Sequence, residues 1–120
     1  VDEEERERVF GYLELHRKGK QSIAAPTLLQ YEVASVLLRK NHITPSDAIS
    51  ALRAILHLGI HFYPLDESDL PILFELTKKH RLTAYDAAYV LLAQKLQCRL
   101  VTADTKLMRS VPHLRFIDPF

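Results

Sequence analysis

Short β-prone runs in this chain are separated by stretches too long to be hairpin turns, and that alternation is the strongest constraint on its fold. The runs are 22–25, 60–65, 99–103 and 114–117. Helical segments fill the spaces between the first three: 27–40, 45–58, 69–80 and 84–97. A strand that returns to its sheet through a helix of ten or more residues does so as a parallel crossover. The expected fold is therefore α/β, in three α/β/α layers, with a central and mainly parallel sheet. A further helical stretch, 1–18, opens the chain, and a short one, 105–109, precedes Pro112 and the last strand. No internal repeat or linker divides the 120 residues, and with 48% of them apolar the chain can bury one core. Residues 1–120 are thus expected to form one domain.

Local signals sharpen these boundaries. Thr44-Pro45-Ser46-Asp47 places a capping hydroxyl, a proline at the first helical position and a carboxylate three residues after the cap. Thr83-Ala84-Tyr85-Asp86 has the same capping form, and Thr27 and Ser68 are the caps expected for the helices that follow them. Pro71 then falls within a first turn, where a missing N–H costs nothing. Gly19 and Gly59 are expected to stop helices, and Pro64 points to an edge position for the run 60–65. The helix 28–40 is apolar almost all round, apart from a stripe of Glu32, Ser35 and Arg39.

Charge excludes some function classes. Sixteen Lys and Arg against 15 Asp and Glu leave a net charge of +1, so any contact with nucleic acid has to be local rather than a property of the whole surface. The single cysteine, Cys98, cannot form an internal disulfide, which fits a reducing cytoplasm. Apolar runs fall well short of the roughly 20 residues needed to span a bilayer, so no membrane role is expected. The six histidines have no ligand-like spacing, which argues against zinc.

Carboxylates carry the candidate chemistry. Asp104 directly follows the strand run 99–103, the end of a parallel strand at which open α/β sheets bind ligands. It is equally well placed to cap the short helix after it, and the two roles are compatible. Asp86 read alone is a capping residue, yet the same geometry sets a carboxylate at a helix N-terminus beside the loops above the strands. Glu32 sits among Leu28, Leu29, Val33 and Val36, either on a solvated edge or as a metal ligand. Three acids from separate elements, without His or Cys, suit a hard cation such as Mg²⁺ or Mn²⁺.

Four strings stand in a telling order: Ala25-Pro26-Thr27-Leu28-Leu29-Gln30-Tyr31-Glu32-Val33-Ala34-Ser35, Pro64-Leu65-Asp66, Leu82-Thr83-Ala84-Tyr85-Asp86-Ala87 and Val101-Thr102-Ala103-Asp104. Their order and spacing resemble the PIN-domain nucleases, in particular the VapC-type toxins of prokaryotic toxin–antitoxin pairs. The resemblance covers the whole chain. It implies a PIN-like sandwich and endoribonuclease cleavage dependent on Mg²⁺ or Mn²⁺, with a quartet of acids at one end of the sheet. By position, Glu32 resembles the second acid, Asp86 the third and Asp104 the fourth. Thr102 resembles the hydroxyl residue before the last acid, and Ser35 a small polar neighbour of the metal. Arg39 and Lys106, near these acids, are the candidate RNA contacts; Lys78 and Lys79 are better read as favouring a helix C-terminus. The implied partners are RNA, a cognate antitoxin and a second copy of the chain.

The sequence departs from that pattern at its start. The family's first acid ends an apolar strand, whereas Asp2 is followed by Glu-Glu-Glu-Arg-Glu-Arg, a solvated helical run. The expectation is a domain that lacks the N-terminal strand, which by analogy would lie in the middle of the sheet and whose loss exposes unpaired backbone groups. The competing expectation is an inactive truncated nuclease or a non-catalytic PIN-like binding module, with the scaffold and three acids but no complete metal site.

Overall fold

The structure, a computed structural model, describes residues 7, 11, 14–19, 21–102, 107, 109 and 117–119. Its strands form two parallel ladders. β1 (Ala24–Pro26) pairs with β2 (His61–Tyr63), Ala25 lying opposite Phe62. β3 (Leu100–Thr102) pairs with β4 (Ile117–Pro119), Val101 lying opposite Asp118. Parallel pairing is what the long connections require. Among the described residues the ladders are two separate two-stranded sheets rather than one. β1 runs one residue further than expected and includes Pro26. The His61 N–H donates to Ile23 O and the Thr27 N–H to Tyr63 O, so odd-numbered residues address β2 and Pro26 has no ladder bond to lose.

Four helices follow in order: α1 (Leu28–Leu38), α2 (Pro45–Leu56), α3 (Leu70–His80) and α4 (Ala84–Leu96). Thr44 and Thr83 cap α2 and α4 as expected, their hydroxyls accepting the N–H of Asp47 and of Asp86, each at 3.1 Å. The core lies between α3 and α4, where Leu73, Leu76, Ala87, Val90 and Leu91 pack with Leu107. α4 packs against β1 and against β3 as well as α3, so one helix spans both ladders. Among the described residues no helix is long and apolar enough to cross a membrane.

The turn into β2 depends on Gly59, whose φ of +79° is left-handed and whose added Cβ would come 3.3 Å from His16 Nε2. His16 accepts the Ile23 N–H at Nδ1 (3.2 Å), which leaves Nε2–H to donate to Leu58 O at 2.7 Å. One imidazole therefore ties the helical turn 14–17 to both β1 and the approach to β2.

Several local expectations are corrected. Thr27 is itself helical in conformation and makes no side-chain cap; its N–H is committed to the ladder with β2. Before α3 the cap is not Ser68 but a box formed by Asp66 and Asp69 around the 3₁₀ turn Glu67–Asp69, with Ser68 donating its hydroxyl to Asp66. α3 and α4 end at Arg81 and Gln97, both left-handed without glycine. The last strand is described over Ile117–Pro119, and residues 114–116 of the expected strand lie outside the described residues. α1, despite its apolar sequence, buries no residue: Leu38 is 79% and Tyr31 72% exposed, because the helix packs mainly on α2 and β1.

Candidate metal-binding site

Asp86 lies in the first turn of α4, fixed there by the Thr83 cap, and Tyr89 follows three residues later on the same helix face. Opposite stands Glu32 of α1. The Tyr89 hydroxyl donates a hydrogen bond to Glu32 Oε1, joining residues 57 apart in sequence. Burial is the main reason that the Tyr89 hydroxyl is held above the ordinary tyrosine range; the bond to Glu32 and the negative charges of Glu32 and Asp86 push the same way. Two acids from different helices thus bear on one neutral donor. Glu32 is exposed and Asp86 half-buried, so the site faces solvent.

The remaining site residues expected from sequence are placed less closely. Ser35 is exposed one turn beyond Glu32 on α1, Arg39 is exposed at the C-cap of that helix, and Thr102 ends β3. Asp104 and Lys106 lie outside the described residues. Accordingly, among the described residues no three His, Cys, Asp or Glu side chains gather as a metal-holding group. The donor chemistry nonetheless fits a hard cation: Glu32 and Asp86 offer oxygen alone, the first held by Tyr89 and the second one turn before it on α4. Of the basic cluster near residue 80, His80 is buried at the end of α3, with Lys78 and Lys79 in the last turn, as the helix-terminal reading expects.

A different face of α4 borders an apolar cavity of about 240 Å³, lined by Pro26, Leu28, Leu65, Tyr85, Ala88 and Leu92 among others. At its edge the buried carboxylate of Asp69 accepts the Asp66 N–H at 3.0 Å and pairs with Lys95 at 3.2 Å. This pair joins the start of α3 to the last turn of α4.

With this geometry in hand, comparison with known proteins is decisive: the profile of the PIN domain matches residues 2–114. The chain belongs to the PIN domain family. It is similar to Ribonuclease VapC9 of Mycobacterium tuberculosis, 38% identical over 100 residues that cover 75% of each chain. It is also similar to Ribonuclease VapC3 of Pyrobaculum aerophilum, 34% identical over 101 residues covering 78% of this chain and 75% of that one. The PIN domain fold agrees with the α/β class and parallel pairing read from the sequence.

In this PIN domain Tyr89 is the residue beside the candidate acids that sequence reasoning missed. It lies in the run 87–93, which reads as core. The one available signal was its spacing of three from Asp86, which puts both on the same helix face.

Proposed function

We propose that this PIN domain is a metal-dependent endoribonuclease, the toxin of a toxin–antitoxin pair, which hydrolyses RNA phosphodiesters at a site built from Glu32, Asp86 and Asp104. The observation that carries this is the hydrogen bond from the Tyr89 hydroxyl to Glu32 Oε1, which sets a carboxylate of α1 against the face of α4 that carries Asp86 one turn earlier. The relatives' names, Ribonuclease VapC9 and Ribonuclease VapC3, support the same activity.

Glu32, Asp86 and Asp104 would hold Mg²⁺ or Mn²⁺, which when bound would supply an acidified water and offset negative charge on the phosphodiester. The chain's own residues do the rest. Glu32 and Asp86 contribute carboxylate oxygens from two helices and Asp104 a third, while Ser35 and Thr102 support the first and last of them. Arg39, at the C-cap of α1 two turns beyond Glu32, and Lys106, two residues after Asp104 in sequence, attract RNA phosphates. A cognate antitoxin and a second copy of the chain are the protein partners, and the cytoplasm is the location.

The test is RNA cleavage in Mn²⁺ by the protein and by its Asp104→Asn variant. Cleavage that Asp104→Asn abolishes is expected. Equal activity in both would overturn the assignment of the acids. The binding-module reading predicts in addition that millimolar Mn²⁺ leaves the melting temperature unchanged, whereas a metal bound to the folded state raises it.

A further inference from the structure

We infer that Tyr89 is a positioning residue for Glu32, fixing that carboxylate against the face of α4 that carries Asp86 before a cation arrives; this rests on the metal-dependent reading above. Among the described residues no second hydrogen bond or ion pair holds Glu32. It is exposed on α1, a helix that buries none of its residues and packs mainly on α2 and β1. A long exposed glutamate side chain samples many rotamers, and ordering it opposes binding. Tyr89 stands on the opposite kind of element. Its neighbours Ala87, Val90, Leu91, Leu92 and Ala93 are all buried, and α4 is fixed by α3, β1 and β3. The hydroxyl is thus a donor on a rigid base aimed at a carboxylate on a loosely packed helix.

The chemistry of the residue matters as well. A lysine in its place would bring a positive charge that competes with the cation, and a phenylalanine would keep the ring but leave Glu32 unheld. The phenol donates one hydrogen bond, stays neutral and occupies Oε1 only. Among the described residues Oε2 has no hydrogen-bond partner and stays open to a ligand. Partners that orient a ligating side chain in this way are typically worth a factor of about 10 to 100 in metal affinity.

The experiment is calorimetric titration of Mn²⁺ into the full chain, with Tyr89→Phe and, as a control, Tyr85→Phe. Tyr85 is 66% exposed on the same helix and adjacent to Asp86. Far-UV circular dichroism and the melting temperature without metal are recorded for each. The expected result is a Kd for Mn²⁺ raised about tenfold by Tyr89→Phe, no change for Tyr85→Phe, and unchanged helical content in both. Wild-type affinity in Tyr89→Phe, equal weakening by both variants, or loss of helical signal in Tyr89→Phe each overturns the positioning role while leaving the metal reading intact. No Mn²⁺ binding by the wild type overturns the metal reading itself, and this inference with it.

Discussion

Replacing Asp69 separates two contributions that the structure superimposes in one side chain. Its carboxylate is only 8% exposed, accepts the Asp66 N–H at 3.0 Å and meets Lys95 Nζ at 3.2 Å, whereas the Lys95 side chain is 44% exposed. The half-exposed lysine limits the ion pair to about 1 kcal/mol or less after screening by solvent. The capping bond contributes about 1 kcal/mol on its own. Asp69→Ala removes both and is expected to cost about 2 kcal/mol. Asp69→Asn keeps a carbonyl oxygen to accept the Asp66 N–H and loses only the charge, costing about 1 kcal/mol or less. For a domain of this size, 1 kcal/mol lowers the melting temperature by about 4 °C. Thermal melts followed by circular dichroism at pH 7 should therefore drop by about 8 °C for Asp69→Ala and by about 4 °C or less for Asp69→Asn. If both variants fall equally, the ion pair and not the cap fastens this corner, and the reasoning is refuted.

Three other perturbations follow from the packing, the backbone and the charges. Val90 is fully buried among Leu73, Leu76, Ala87, Leu91 and Leu107, so Val90→Ala loses two carbons and leaves a void, about 2 to 3 kcal/mol by urea denaturation with an unchanged slope. Gly59→Ala places a Cβ on a left-handed residue 3.3 Å from His16 Nε2 and should cost about 1 to 2 kcal/mol; a loss near zero would show that the turn relaxes freely. The Ser68 hydroxyl, foremost, holds the Asp66 carboxyl below its ordinary value of 3.8, helped by the Glu67 N–H and the Lys95 charge. A carboxyl whose folded pKa is depressed contributes stability above its unfolded pKa and loses it as pH falls through the folded one. Melting temperature should accordingly fall below pH 3.8 less steeply in Ser68→Ala than in the wild type; an identical slope would remove Asp66 from the acid response.

The parts of this fold that the sequence discloses are those decided within one turn of chain. Thr44 and Thr83 announce their helices because a hydroxyl and the N–H three residues later need nothing else. Parallel pairing follows from connection length alone. Ser68 misleads because Asp66 and Asp69 offer the same three-residue capping geometry nearby, and the reciprocal pair wins over a single hydroxyl. α1 misleads for another reason: hydrophobicity states what gains by being covered, not whether a neighbour is there to cover it. Glu32 and Asp86 were legible as candidate acids from their positions in the motifs. The bond that holds Glu32 to Tyr89 was not, because contact between residues 57 apart depends on how α1 meets α4.

The most direct measurement is the anomalous diffraction signal of Mn²⁺ in crystals of the protein grown with the metal. A peak within coordination distance of Glu32, Asp86 and Asp104, with the Tyr89 hydroxyl still on Glu32, is the predicted result. Manganese bound elsewhere, or Glu32 turned away from a peak on the other two acids, would contradict it.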